Sequence, residues 1–203
     1  SETRWAGSPR NRASSLPSGG GPTLESGPAM SIFGRHPEPE PADGVAANGR
    51  PRESVWDYPR PPRIEREERP VRVALGGAVV AVSERAVRVL ETAGAPTVYV
   101  PRDDVVEGAL SPASGSTFCE WKGSASYFDV SAGGGGAERA AWAYLDPTPP
   151  FASIAGWVSF YPAHLDCLLG NEPVAPQPGG FYGGWVTAEI CGPIKGAPGS
   201  GGW

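Results

Sequence analysis

The segment Val71-Arg-Val-Ala-Leu-Gly-Gly-Ala-Val-Val-Ala-Val82 gives the clearest indication of the fold. Apolar, mostly β-branched residues on both sides of Gly76-Gly77 predict two antiparallel strands joined by a two-residue hairpin turn. Further short strands are predicted over residues 97–101, 117–121, 124–130, 140–145, 157–161 and 185–190. Strands at roughly ten-residue spacing are typical of an antiparallel sheet or barrel. We therefore predict a mainly β fold, a single compact antiparallel β domain that is barrel- or tent-like.

One or two short helices are expected between these strands. Residues 84–91 follow Ser83, a favourable N-cap, and carry apolar residues at helical spacing. Asp103 and Asp104 then precede residues 105–110, where acidic groups at an N-terminus favour one or two helical turns.

The chain of 203 residues divides into three parts by composition. Residues 1–50 contain 8 Gly and 7 Pro without apolar periodicity, which predicts a disordered tail. Met30 is the sole methionine, and residues 1–29 are interpreted as an artefact of translation upstream of it. Residues 51–70 are expected to form an extended, proline-rich arm, and residues 71–203 the β-rich domain.

Charge and cysteine content exclude several classes of function. Residues 73–203 carry 6 basic and 12 acidic groups, a net charge of −6, which argues against a nucleic-acid-binding surface. No apolar stretch is long enough to span a bilayer, so no membrane association is expected. With three cysteines in no CxxC motif and two histidines, neither a metal site nor a cofactor is expected. The same cysteine pattern favours a cytoplasmic protein with reduced thiols.

Aromatic residues are concentrated in the second half of the chain. Residues 99–203 hold 5 Trp, 5 Tyr and 5 Phe, which core packing and cross-strand pairs can explain. Because strands alternate faces, a subset of these rings can instead line a pocket. The candidate ligand-binding residues are Trp121, Tyr127, Trp142, Tyr182 and Trp185.

The run Cys119-Glu-Trp-Lys-Gly123 is the most chemically suggestive one. A nearby lysine lowers the pKa of a thiol, so Cys119 is a candidate nucleophile and Lys122 a candidate acid or electrostatic group. On a regular strand the two side chains would face opposite ways, unless Gly123 marks a bulge that turns Lys122 around. The alternative is a buried structural thiol beside an exposed lysine.

Several blocks of the sequence resemble the bacterial family catalogued as domain of unknown function 427. They are Glu53-Ser-Val-Trp-Asp-Tyr-Pro-Arg-Pro-Pro-Arg63, Tyr99-Val-Pro with Asp103-Asp-Val105, Cys119-Glu-Trp-Lys-Gly123, Gly179-Gly-Phe-Tyr-Gly-Gly-Trp-Val-Thr187 and Gly192-Pro-Ile-Lys-Gly196. The resemblance covers about residues 50–203 and implies a compact antiparallel β domain with little helix, without an assigned activity. The residues that match its motifs are Trp56, Cys119, Lys122, Gly123, Tyr182, Gly183, Gly184 and Trp185.

A nucleotidyltransferase-like label has been attached to this family, and the residues do not support it. That chemistry requires a Gly-Ser turn followed by paired acids on one strand face. Gly123-Ser124 is followed by the single acid Asp129, whose neighbours on the same strand face, Tyr127 and Ser131, are not acidic.

Two functions remain open on the sequence. The first is binding of an unidentified small molecule in an aromatic-lined pocket, and a more specific version of this hypothesis adds catalysis through Cys119 and Lys122. The alternative is a non-catalytic module that engages a partner protein through the proline-rich arm, with Trp56 and Tyr58, and exposed aromatic residues.

Overall fold

The computed structural model describes residues 38–200 and shows a mainly β domain with little helix. Met30 and most of the expected tail lie outside the described residues. The strands are β1 (Glu53–Ser54), β2 (Arg63–Arg66), β3 (Val71–Leu75), β4 (Ala78–Ser83), β5 (Val87–Leu90), β6 (Thr97–Val100), β7 (Leu110–Cys119), β8 (Gly123–Ala132), β9 (Gly135–Tyr144), β10 (Val158–Phe160), β11 (Asp166–Leu169), β12 (Glu172–Pro173), β13 (Ala175–Pro176), β14 (Trp185–Val186) and β15 (Ile190–Cys191). Two 3-10 helices span Arg102–Asp104 and Pro149–Ile154.

Two antiparallel sheets make up most of the domain. The larger has seven strands in the order β2-β5-β6-β10-β9-β8-β7, and the smaller has four in the order β12-β11-β3-β4. The seven-stranded sheet is open, with β2 and β7 at its edges, so the barrel form of the expected fold is not closed. Two further sheets consist of two short strands each. The pair β1-β15 is parallel, and the pair β13-β14 is antiparallel.

The hairpin predicted at Gly76-Gly77 is confirmed. β3 and β4 flank these two residues, whose φ angles are 56° and 86°. Two consecutive positive φ values match the tight turn whose twist suits a β-hairpin, and glycine adopts them without a Cβ clash.

The core lies between the two sheets. Alternate residues of the hairpin, among them Val71, Val73 and Val80, pack against Val98 and Phe160 of the larger sheet. This packing uses one face of the seven-stranded sheet, so the opposite face is left for a second apolar cluster.

The helix expected over residues 84–91 is wrong, because this segment contains strand β5, which pairs with β2 and β6. The Ser83 hydroxyl accepts a hydrogen bond from the Arg85 backbone N–H, but it closes only a local turn. The β-branched residues of this segment and its pairing with two neighbouring strands favour a strand more than the helical spacing of its apolar residues favours a helix. Of the turns expected over residues 103–110, the structure has the single 3-10 helix Arg102–Asp104.

In place of the single strand expected over residues 185–190, the structure has two short strands, β14 and β15, which pair with different partners. β14 pairs with β13, whereas β15 pairs with β1 at the other end of the segment. The Ile190 N–H donates to the Thr187 carbonyl, and this turn separates the two.

The segment expected as an arm is packed into the domain, since it contributes β1 and β2 to the sheets. Tyr58 is buried, and the Trp56 Nε1 donates to the Pro193 carbonyl at 2.9 Å. Part of the expected tail also contacts the domain, because the Asn48 side chain donates to Glu172 and Glu189. Within residues 38–200 there is no helix with the length and apolar character needed to cross a membrane.

Candidate functional site

A cavity of about 470 Å³ opens on the face of the seven-stranded sheet that does not pack against the smaller sheet. Its walls come from β5 to β9 and from a C-terminal segment between residues 177 and 195. Its volume lies within the range of roughly 300–1,000 Å³ found for small-molecule sites.

The alternation of strand side chains explains why aromatic residues collect on this face. In β8, Tyr127 points to the cavity, whereas Phe128 and Val130 belong to the core cluster. In β6, Tyr99 likewise points to the cavity, whereas its neighbours Val98 and Val100 belong to the core cluster. The rings that line the inner walls are Tyr99, Trp121, Tyr127, Trp142, Tyr144 and Tyr161, and those nearer the mouth are Phe118, Phe181 and Tyr182.

These rings hold one another by specific contacts. The Trp142 Nε1 donates to the Tyr99 hydroxyl at 3.3 Å, and the Trp142 and Tyr161 ring centroids lie 4.5 Å apart. Tyr127 and Thr117 hydroxyls are 2.9 Å apart. Burial raises the pKa of Tyr99, Tyr144 and Tyr161 still further above physiological pH, where phenols are already neutral hydrogen-bonding groups.

Lys122 and Lys195 are the chain's two lysines, and both line this cavity. They share one carboxylate: Lys122 Nζ lies 3.5 Å from Glu91 Oε2, and Lys195 Nζ lies 3.2 Å from Glu91 Oε1. The Lys122 ammonium also faces the Phe151 and Tyr144 rings at 5.7 and 6.0 Å, and Lys195 faces Tyr182 at 4.8 Å. Both side chains are almost completely buried.

Lys122 reaches the cavity because it is not part of a strand. β7 ends at Cys119 and β8 begins at Gly123, so residues 120–122 form the hairpin loop between them. Gly123 has a φ of 92°, which turns the chain after Lys122. The opposite faces expected for Cys119 and Lys122 on a regular strand therefore do not apply, and both line the cavity.

The three thiols have different surroundings. Cys119 is half-buried and lines the cavity, where it interacts with the Tyr144 hydroxyl. Cys167 belongs to the core, and burial raises the pKa of its thiol. Cys191 is fully buried in β15, with the Arg52 Nε 3.1 Å from its sulfur. Cys119 is thus the thiol with access to a bound molecule.

The structure places most of the sequence-predicted site residues together. Those that line the cavity are Cys119, Trp121, Lys122, Tyr127, Trp142 and Tyr182. Trp185 is not among the lining residues: it is fully buried in the main core, and its Nε1 donates to the Phe160 carbonyl at 3.0 Å. β14 directs this ring between the sheets, which the motif around it does not reveal.

Sequence reasoning missed several residues of the cavity. Tyr99, Tyr144 and Tyr161 follow from strand alternation only once the sheet order is known. Lys195 could have been singled out as a candidate site residue, because the chain contains only two lysines. The position of Glu91 on the cavity wall could not be predicted, because residues 84–91 were expected to form a helix. In the part of the chain that the structure describes, no group of three His, Cys, Asp or Glu side chains could hold a metal ion.

The fold and the cavity define a mainly β domain whose larger sheet carries an aromatic pocket on its outer face. The chain belongs to the family described as Domain of unknown function (DUF427), whose model matches residues 63–171. The match includes every strand of the seven-stranded sheet, whereas Tyr182 and Lys195 lie beyond it. A comparison with curated proteins found no match.

Proposed function

We propose that this protein binds a small organic molecule with a flat ring in the aromatic cavity. The observation that carries the proposal is that nine aromatic side chains line one cavity of about 470 Å³. Ring faces offer large contact areas to a flat ligand, and the phenol and ammonium groups among them can orient it.

Calorimetric titration with a neutral ring compound, naphthalene-2-carboxamide, and its anionic analogue naphthalene-2-carboxylate tests the proposal. Thr97 lies on the cavity wall in β6, so Thr97→Phe should place a ring inside the cavity and weaken binding of both probes. Val82→Phe, on the exposed face of β4, adds the same ring elsewhere and should leave binding unchanged. If neither probe binds the wild type, or if Thr97→Phe binds them equally well, the proposal is wrong.

A second candidate function is ester hydrolysis through Cys119. It is favoured by the position of this thiol on the same cavity as the Lys122 ammonium. The Cys119 sulfur would add to the carbonyl carbon of a bound ester while its proton passes to the leaving oxygen, so that the C–O bond breaks, the alcohol departs and a thioester remains. Water would then cleave the thioester, releasing the acid and restoring the thiol.

Mass spectrometry after mixing with 2-naphthyl acetate tests this step. The expected result is an acetyl group on Cys119, together with hydrolysis that Cys119→Ser abolishes. Hydrolysis at an unchanged rate in Cys119→Ser would exclude the thiol as the nucleophile.

The alternative of a protein-interaction module rests on exposed rings. Phe118 and Phe181 are 77% and 64% exposed, whereas Tyr58 of the arm is buried within the domain. A partner isolated with the wild type and lost with Phe118→Ser and Phe181→Ser together, in the absence of probe binding, would favour this alternative.

A further inference from the structure

The electrostatic balance at the inner wall of the cavity is uneven. Two ammonium groups, of Lys122 and Lys195, face the single carboxylate of Glu91. The exposed fraction is 9% for the Lys122 side chain and 12% for Lys195, so water compensates neither charge well. A buried charge is costly unless it is paired, and one carboxylate between two ammonium groups leaves one positive charge in excess.

The donors of Lys122 are available to a ligand. Its ammonium carries three N–H groups, and Glu91, its ionic partner among residues 38–200, lies at 3.5 Å, beyond a good hydrogen-bond distance. Its other close neighbours are the faces of Phe151 and Tyr144, which accept no regular hydrogen bond.

We propose that the ligand of this cavity carries a carboxylate or phosphate group on its flat ring, and that Lys122 and Lys195 bind this anionic group. This inference rests on the proposed small-molecule function. The bound anion would neutralise the excess charge, while the ring packs against the aromatic walls.

The same geometry disfavours a cationic ligand. Aromatic cages recognise cations through their ring faces, but here Tyr144 and Tyr182 already face the lysines of the protein itself. A second cation would meet like charge at close range. The other acidic residue on the cavity wall, Glu120, is exposed, where solvent and salt screen its charge.

Three probes share the naphthalene ring and differ in its substituent: the neutral 2-carboxamide, the isosteric 2-carboxylate and 2-naphthyl phosphate. We expect an anionic probe to bind the wild type about tenfold more tightly than the carboxamide. A preference for one anionic probe over the other identifies the group as a carboxylate or a phosphate. Equal binding of all three would overturn the inference and leave the proposed function standing, whereas no binding would reject both.

Lys122→Met keeps the aliphatic stem and removes the charge. It should reduce the preference for the anionic probe to about twofold or less, because the affinity for that probe falls more than the affinity for the carboxamide. Arg72→Met, in β3 of the other sheet, changes the net charge equally and should keep the full preference. A preserved preference in Lys122→Met would contradict the proposal. If that variant does not fold, Lys195→Met removes the other ammonium group, on the C-terminal segment of the cavity wall, and should reduce the preference in the same way.

Discussion

The indole of Trp142 occupies the space in which Gly183 would carry a side chain. An ideal Cβ on Gly183 would lie 2.1 Å from Trp142 Cη2 and 2.5 Å from Cζ3, closer than any real contact. Trp142 in turn packs against Tyr161 and donates to Tyr99. The glycine-containing turn of the C-terminal segment therefore closes directly over the aromatic wall of the cavity.

Gly183→Ala should destabilise the protein by about 1–3 kcal/mol, because Trp142 must move against its packed neighbours. Denaturant unfolding measures the loss, and the same displacement should weaken naphthalene binding. Gly136→Ala is the matched control: its Cβ would meet nothing closer than the Val130 carbonyl oxygen at 3.9 Å, so its stability should not fall. Equal stability of the two variants would show that Trp142 does not depend on the glycine.

Arg69 is enclosed by carboxylates. Its Nε lies 2.8 Å from Glu67 and its Nη1 lies 2.9 Å from Glu189, two side chains that are almost completely buried, and Glu172 is 3.6 Å away. Burial acts to raise the pKa of Glu67, but hydrogen bonds and charge from Arg69 outweigh it and hold that pKa below its usual range.

Arg69→Met should lower the free energy of unfolding by about 3–5 kcal/mol, because it leaves buried carboxylates uncompensated. Arg66→Met is the control, since Arg66 and Glu68 are both exposed and lie 3.7 Å apart. The control should change stability by less than about 1 kcal/mol. Similar losses in both variants, measured by urea unfolding, would contradict this account.

Alkylation of the native protein should distinguish the three thiols. We expect iodoacetamide to label Cys119, which lines the cavity, while Cys167 and Cys191 react only after unfolding. Peptide mass spectrometry after timed labelling identifies the sites, and prior addition of naphthalene-2-carboxylate should slow reaction at Cys119. Labelling of all three thiols at one rate would show instead that reaction proceeds through global unfolding.

The tyrosines predict how stability changes at alkaline pH. Burial, the largest cause in each case, raises the pKa of Tyr58, Tyr99, Tyr144 and Tyr161, with Glu53 adding to it at Tyr58. Unfolded tyrosines lose their proton near pH 10. Above about pH 10 the folded protein thus retains protons that the unfolded chain releases, and stability must fall as pH rises.

We therefore expect four of the six tyrosines to remain protonated until the protein unfolds. Tyrosinate absorbance and circular dichroism, followed together as pH is raised, should show these four ionising in one step with unfolding. Tyr144→Phe should reduce that step by one tyrosine. Ionisation of all six near pH 10 in a still-folded protein would contradict the burial of these phenols.

Local signals predicted the parts of the fold that local interactions decide. The apolar alternation around Gly76-Gly77 specifies a hairpin because the turn and its two strands are adjacent in the chain. The strand Thr97–Val100 was predicted almost to its bounds because its β-branched and aromatic residues favour an extended backbone. Residues 87–90 were assigned incorrectly because their strand depends on β2 and β6, which the local pattern does not contain.

Composition and apolar patterning were enough to predict a mainly β domain rich in aromatic residues, and the run of residues 119–123 indicated Cys119 and Lys122 as candidate reactive groups. Which rings face the cavity depends on the three-dimensional arrangement of the strands, since Trp142 lies on the cavity wall and Trp185 in the core. This arrangement also brings Glu91 and Lys195 together across 104 residues of chain. Contacts of such separation depend on the order of strands in the sheet, and composition and spacing carry no record of that order.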